Sequence, residues 1–267
     1  MDNRPIGIFD SGVGGLTVVK QVMNVLENEN IIYFGDTARL PYGSKSKETI
    51  TRFSKQIVRF LNTKNVKAII IACNTVSSNC IEELKNMFDV PIFGVVIPGV
   101  FEAIKSTKNK RVGVIGTVST INTNAYKNLI NKYDKSIKIF SKACPLFVPL
   151  VEEGWTNNEI SKLTIKKYLN ELLSNDIDSI VLGCTHYPFL KDCIQKIVGK
   201  DIKLVDPARA TAIDVKNFLI KNNITNNKNV NNNYMFYLSD YTQQFDILCK
   251  RALNKVYIPN IIDIEKY

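Results

Sequence analysis

The only histidine of the chain lies two residues after a cysteine, in a stretch that reads "GCTHYP". Cys184 ends a run of small and β-branched apolar residues, and His186 opens what reads as a helix, so the thiol is predicted where a buried strand emerges from a sheet. In α/β proteins this edge commonly carries the chemistry. A thiol beside an imidazole can be a metal ligand, a redox group or a proton-transfer group.

A second cysteine has the same local setting earlier in the chain. Cys73 also ends an apolar run, and polar residues follow it. Two pairs of segments are similar: "IGIFDSG" resembles "VGVIGTV" at an offset of 106 positions, and "AIIIACNT" resembles "SIVLGCTH" at an offset of 111. One α/β unit is therefore predicted to occur twice. Two such units that face each other would present Cys73 and Cys184 from opposite walls of a cleft.

Thiols on opposite walls allow a reaction that a single thiol does not. To invert a stereocentre with an acidic hydrogen, an enzyme removes a proton from one face of the carbon and delivers a proton to the other. Cysteine has an unperturbed pKa of about 8.5, so one thiolate can act as the base while its partner stays a thiol. The pair of cysteines thus favours an enzyme that works by two-base proton transfer.

Polar residues beside both cysteines could set their protonation states and bind a ligand. Asp10 is predicted beside Cys73, and a carboxylate or imidazole within reach can take up a thiol proton, although Asp10 could equally cap the following helix. The glycine-rich turn "SGVGG" has neither the dinucleotide fingerprint nor the phosphate-loop lysine, so it indicates no nucleotide cofactor. The side chains and helix starts suited to a carboxylate-bearing ligand are those of Ser11, Asn74, Thr75, Thr117 and Thr185.

Short apolar segments alternate with amphipathic ones along the chain, which predicts an α/β fold with mainly parallel sheets. The predicted strands are "PIGIF", "IIYFG", "AIIIAC", "PIFGVV", "RVGVIG", "SIKIF", "SIVLGC", "IKLVD" and "YMFYLS". Helical spacing of apolar residues predicts helices through Leu16–Leu26, Phe53–Phe60, Ile81–Phe88 and Ile165–Leu172. The polar segment 221–233 is predicted to be an exposed connection.

Composition narrows the class of protein further. The 267 residues are 45% hydrophobic, which is ordinary for one or two globular domains, and we expect a cytosolic protein because no apolar run approaches the roughly 18 residues of a membrane span. None of the six cysteines forms a Cys-x-x-Cys pair, so no metal site is predicted. The net charge of +10 is dispersed, which does not favour a nucleic-acid partner. The cysteines interpreted as core or incidental are Cys80, Cys144, Cys193 and Cys249.

Six motifs, in order and across nearly the whole chain, resemble those of the aspartate/glutamate racemase family, in its cofactor-independent glutamate-racemising branch. They read "GIFDSGVGGLTV", "YFGDTARLPYG", "ACNT", "GVIGT", "PLFVPLVEEG" and "GCTHYP". The resemblance implies that Cys73 takes the α-proton of D-glutamate with help from Asp10. It implies that Cys184 takes that of L-glutamate with help from His186 and Glu152. The implied substrate contacts are Asp10, Ser11, Pro41, Tyr42, Gly43, Asn74, Thr75, Thr117, Thr120, Thr185 and His186.

The same resemblance implies an architecture and a biological role. We expect two similar α/β domains related by a pseudo-twofold axis, one formed by residues 1–96 and 207–267 and the other by 97–206, with the site in the cleft between them. The resemblance implies no pyridoxal phosphate, metal or nucleotide. It implies a homodimer, and it implies that the D-glutamate enters peptidoglycan. Three alternatives remain: an aspartate or other amino-acid racemase of the same family, a non-catalytic thiol redox or binding protein, and an added DNA-associated role.

Overall fold

Two separate sheets of parallel strands organise the chain, and the predicted α/β fold is confirmed. A computed structural model describes residues 1–226 and 233–267. The strands are β1 Ile6–Asp10, β2 Ile31–Gly35, β3 Ala68–Ile71, β4 Ile92–Gly94, β5 Arg111–Gly116, β6 Lys138–Ala143, β7 Ser179–Gly183, β8 Lys203–Val205, β9 Tyr234–Leu238 and β10 Asn260–Ile261. The first sheet has the order β10-β9-β2-β1-β3-β4, and the second has the order β6-β5-β7-β8.

The strands form where β-branched and aromatic residues run together, since such side chains pack well when both faces of a sheet are covered. Every residue of β1, β2, β3 and β7 is buried. The first sheet takes strands from both ends of the described chain, because β9 and β10 return to pair beside β2. Each of the nine predicted segments overlaps a strand. The two-residue strand β10 was not predicted.

Helices cover the sheets. They are α1 Leu16–Val25, α2 Lys47–Thr63, α3 Asn74–Asn79, α4 Ile81–Met87, α5 Val96–Ser106, α6 Val118–Asn122, α7 Ala125–Tyr133, α8 Phe147–Glu152, α9 Glu159–Leu173, α10 Lys191–Val198, α11 Pro207–Lys221 and α12 Gln243–Leu253. The four helices that were predicted, α1, α2, α4 and α9, carry the expected apolar stripes. In α1, for example, Leu16, Val19 and Val22 are completely buried. Helix α9 begins with a capping box between Asn158 and Ser161.

The two sheets repeat one strand order, β2-β1-β3-β4 in the first and β6-β5-β7-β8 in the second. The pairing register repeats as well, because Gly7 lies opposite Ile69 and Gly113 lies opposite Ile180. The carboxyl ends of β1 and β3 therefore correspond to those of β5 and β7. Ligand sites of parallel sheets lie at such ends.

Contacts between the loops at the carboxyl ends of the strands join the two sheets directly. The Thr17 hydroxyl at the start of α1 donates to the Thr185 carbonyl at 3.0 Å. A Cβ atom on Gly14 would lie 2.4 Å from His186 Nδ1, so only glycine permits this close approach. Helix α5 also packs against α11.

Three observations concern the predicted connection, the expected absence of a membrane span and the expected absence of a metal site. Of the connection predicted over 221–233, Lys221 ends α11, and residues 222–226 and 233 lie outside helices and strands. Residues 227–232 lie outside the described residues. Over 1–226 and 233–267, no helix is long and apolar enough to cross a membrane. The same residues contain no group of three or more histidine, cysteine or acidic side chains that could hold a metal ion.

Candidate active site

A cavity of about 250 Å³ lies at the carboxyl ends of both sheets. Its wall contains all of the predicted site residues except Asp10 and Thr120. The first sheet and its loops contribute Ser11, Gly12, Leu40, Pro41, Tyr42, Gly43, Ser44, Cys73, Asn74 and Thr75. The second contributes Thr117, Val118, Pro145, Val148, Pro149, Glu152, Cys184, Thr185 and His186. Each sheet thus presents one thiol to the same cavity.

The first thiol, Cys73, lies directly before α3 and is 5% exposed. Its sulfur donates to the Ser11 hydroxyl at 3.5 Å. Burial raises the pKa of Cys73 to about 12, and the charge of Asp10 acts in the same direction, against the opposing hydrogen bonds from Ser11 and the Val76 N–H. At neutral pH this cysteine is therefore a thiol, which can donate a proton.

Asp10 lies just behind the cavity wall at the end of β1 and is completely buried. The Thr185 hydroxyl donates to one carboxylate oxygen at 3.2 Å, and the Gly12 N–H donates to the other at 3.2 Å. Burial raises the pKa of Asp10, although the charge of His186 and these hydrogen bonds oppose the rise. A carboxylate with a raised pKa is a stronger base and is therefore better suited to taking up a proton.

The second thiol, Cys184, contacts an imidazole, which in turn contacts a carboxylate. Its sulfur is 3.9 Å from His186 Nδ1, and His186 Nε2 is 3.1 Å from a carboxylate oxygen of Glu152. Burial lowers the pKa of His186, but the contacts with Cys184 and Glu152 outweigh it and raise that pKa to about 10. An imidazolium between two acidic partners can stabilise a thiolate and return a proton to it.

Three threonine hydroxyls connect the two sheets beside the cavity. The Thr75 oxygen lies 3.0 Å from that of Thr117 and 3.4 Å from that of Thr120. Thr120 is almost completely buried and also accepts from the Thr117 hydroxyl at 3.0 Å. Thr120 therefore contacts other predicted ligand-binding residues, without lining the cavity itself.

The Pro41–Gly43 loop closes one side of the cavity, and a buried network that the sequence did not reveal supports it. A Cβ atom on Gly43 would lie 2.8 Å from the Thr117 Cβ, so this wall has no room for a side chain. The Tyr42 hydroxyl is directed away from the cavity and donates to Asp36. Arg39 forms an ion pair with the same carboxylate at 2.8 Å. The arginine three residues after an aspartate in "YFGDTARLPYG" is the only local signal of this support.

Most of the other cavity residues that the sequence did not reveal are apolar, and the exceptions are Gly12 and Ser44. Leu40, Val118, Pro145, Val148 and Pro149 line the wall, and no polar pattern distinguishes them from core residues. They exclude water around the polar groups, and electrostatic interactions are stronger where water is excluded. The arrangement combines two buried thiols, different proton acceptors for each, and hydroxyl and amide groups for an anionic ligand. It suits proton transfer at a carbon atom.

The fold and the pair of thiols are typical of amino-acid racemases. The chain belongs to the Asp/Glu/Hydantoin racemase family, whose sequence pattern matches residues 11–214. Curated relatives carry a more specific name. The chain is 45% identical to the glutamate racemase of Thermoanaerobacter pseudethanolicus over 100% of both chains, and 46% identical to that of Geobacter metallireducens over 91% of this chain and 90% of the relative.

A solved structure resembles the chain over its whole length. It is a crystal structure of glutamate racemase from Francisella tularensis subsp. tularensis SCHU S4 in complex with D-glutamate. The two sequences are 41% identical, and the structures superpose with a TM-score of 0.93 over 100% of each chain.

Proposed function

We propose that this protein interconverts L- and D-glutamate without a cofactor, by proton transfer at Cα between Cys73 and Cys184. The observation that carries the proposal is the single cavity into which each sheet places one buried cysteine. Membership of the racemase family, and the glutamate racemases similar over the full chain, support glutamate as the substrate.

The proposed reaction moves one proton off the carbon and another onto it. With L-glutamate, the Cys184 thiolate takes the α-proton, and the Cys73 thiol delivers its proton to the opposite face of the planar carbanion. With D-glutamate the roles reverse, so Cys73 must first lose its proton, and the buried carboxylate of Asp10 is the nearby group suited to favour this. His186, in contact with Glu152, then supports Cys184 as the acid.

Thiols alone cannot make this reaction fast, because an amino-acid α-hydrogen is far less acidic than a thiol and each tenfold in rate requires about 1.4 kcal/mol of transition-state stabilisation. We propose that donors fixed in the cavity wall supply much of the rest by stabilising the negative charge that develops on the α-carboxylate. The polar groups proposed to bind the substrate are those of Ser11, Asn74, Thr75, Thr117, Thr120 and Thr185, with Asp10, Pro41, Tyr42, Gly43 and His186 completing the site.

The wider role follows from the proposed reaction. D-glutamate made in the cytoplasm would supply peptidoglycan synthesis, and the active form would be a homodimer. We also propose that residues 1–96 and 207–267 form one domain and 97–206 the other. The composition of the two sheets supports this division, since β1–β4, β9 and β10 form one sheet and β5–β8 the other.

A chiral assay without added cofactor tests the function. The protein is incubated separately with L-glutamate, D-glutamate, L-aspartate and D-aspartate, and both enantiomers of each are separated and measured. We expect each glutamate enantiomer to approach an equal mixture, and aspartate to react far more slowly. Faster turnover of aspartate would reassign the substrate. No turnover of any of them, together with reversible disulfide formation between Cys73 and Cys184, would indicate a redox or binding protein.

A further inference from the structure

One amide side chain lines the cavity, and its orientation is fixed from outside the cavity wall. Asn74 follows β3 of the first sheet, and its Oδ1 accepts a hydrogen bond of 2.7 Å from the Tyr126 hydroxyl of α7. Asn74 is 4% exposed and Tyr126 is 3% exposed. Over residues 1–226 and 233–267, the Asn74 Nδ2 atom has no protein acceptor. Its two N–H groups are therefore left for a group in the cavity.

The Tyr126 ring is held in place by its surroundings. A Cβ atom on Gly99 of α5 would lie 3.2 Å from the Tyr126 hydroxyl, and one on Gly183 of β7 would lie 3.5 Å from the ring. Two glycines thus allow the ring to lie between α5 and β7. This confinement directs the hydroxyl at Asn74 and leaves it little freedom to move.

The chemistry of the pair determines which end of the amide faces the cavity. Burial, with the charges of Asp206 and Cys184, raises the pKa of Tyr126, so the hydroxyl keeps its proton and can donate it. An amide oxygen accepts and cannot donate, so it is the matching partner for that hydroxyl. The opposite amide orientation would turn an acceptor oxygen toward an anionic ligand, which is unfavourable.

We propose that Tyr126 is a positioning residue for substrate binding, which fixes the Asn74 amide so that Nδ2 donates to a carboxylate of glutamate. The inference rests on the proposed function. Because Asn74 follows the first sheet and Tyr126 lies beside the second, the same hydrogen bond links the two walls of the cavity. Tyr126 itself does not line that cavity.

The variant Tyr126→Phe removes the hydroxyl alone. We expect KM for each glutamate enantiomer to rise by about three- to tenfold, the loss typical of one hydrogen bond between neutral groups, while kcat changes by less than about twofold. Calorimetric titration with D-glutamate should show the same loss of affinity. Tyr237→Phe is the matched control, because among residues 1–226 and 233–267 the hydroxyl of the buried Tyr237 hydrogen-bonds only to Met235 Sδ, at 3.9 Å. This variant should keep the KM of the natural protein.

A double-mutant cycle separates positioning from a general effect on structure. In an Asn74→Ala background, Tyr126→Phe should change affinity by less than about 1.5-fold, because the amide it positions is gone. An equal loss in both backgrounds would overturn the inference, as would an unchanged KM in the single variant. If Tyr126→Phe does not fold, Gly99→Ala replaces it. Its Cβ atom would lie 3.2 Å from the Tyr126 hydroxyl and 3.0 Å from the Pro207 Cγ, so these neighbours must shift by a few tenths of an ångström. KM should then rise, and an unchanged KM would contradict the inference.

These outcomes are distinct from failure of the proposed function. If the natural protein does not racemise glutamate, the function is rejected before any variant is made. If it does so and Tyr126→Phe keeps its KM, only the role of Tyr126 is rejected.

Discussion

The surroundings of the two cysteines differ much more than the sheets that carry them. Both sheets repeat one strand order, and each cysteine lies at the carboxyl end of the corresponding strand. Cys73, however, contacts the Ser11 hydroxyl and the Val76 N–H and lies near a buried carboxyl group, whereas Cys184 contacts an imidazole that in turn contacts a carboxylate. The repeated fold sets the positions of the thiols, and the loop residues give each thiol different polar partners.

This difference suggests a preferred resting state. The pKa of Cys73, raised to about 12, keeps this thiol protonated at neutral pH, while the pKa of His186, raised to about 10, keeps an imidazolium beside Cys184. In the mechanism that we propose, this resting state suits L-glutamate, and D-glutamate requires the reverse distribution of protons. Since the enantiomers have equal free energy in water, kcat/KM must remain equal in the two directions. The asymmetry must be sought in isotope effects rather than in that ratio.

Replacing either cysteine should have the largest effect. We expect Cys73→Ser and Cys184→Ser each to lower kcat by about 10³-fold or more in both directions, because a hydroxyl is a much weaker acid than a thiol. Chiral turnover measures the loss, and circular dichroism checks the fold. The matched control is Cys80→Ser, at a buried cysteine that does not line the cavity. A larger loss in the control would place the chemistry elsewhere.

His186→Asn should impair proton transfer by Cys184 more than proton transfer by Cys73. We expect kcat to fall by about 10²-fold, the usual contribution of a proton-transfer partner. Since proton removal by Cys184 becomes slower, the kinetic isotope effect with α-deuterated L-glutamate should grow more than that with α-deuterated D-glutamate. Glu152→Gln should act in the same direction with a smaller loss. The opposite isotope pattern would reverse the assignment of the two thiols.

Asp10→Asn should give the mirror-image result on the first side. The amide keeps the shape of the side chain but cannot take up a proton, so we expect kcat to fall by about 10- to 100-fold. The isotope effect should now grow with α-deuterated D-glutamate. Growth confined to the L enantiomer would show that Asp10 acts on the second thiol, through its contact with Thr185.

The smallest expected effect is on stability. Because the pKa of His186 is raised from 6.5 to about 10 in the folded protein, the protonated imidazole stabilises the fold fully below about pH 6.5. That contribution is lost as the pH rises toward 10. Urea unfolding of the natural protein and of His186→Asn should therefore show a difference in the free energy of unfolding that shrinks across this range. A difference that is constant or grows would contradict a charged His186.

Much of this arrangement could be predicted from residue patterns, because apolar runs and helical spacing report burial directly. The strands and α1 are examples. Helix α5 was not predicted, because Pro98 and Gly99 lie in its first turn and interrupt the helical spacing of apolar residues. Strand β10 has only two residues, too few for any period to appear.

The supporting contacts of the site could not be predicted, because they depend on packing between distant segments. Tyr126 reaches Asn74 across 52 positions, and Ser239 donates to Asp36 across 203. In the sequence, Tyr126 reads as an ordinary helix residue. The roles given to the predicted site residues stay predictions until the variants are measured.

Solvent deuterium labelling reports directly whether two separate groups exchange protons with Cα. Each glutamate enantiomer is incubated in deuterated water, and both enantiomers are analysed by mass spectrometry at early times. We expect the product to carry deuterium at Cα while the remaining substrate stays largely unlabelled, since one thiol removes hydrogen and the other delivers deuterium. Equal early labelling of both pools would indicate a single base and contradict the account.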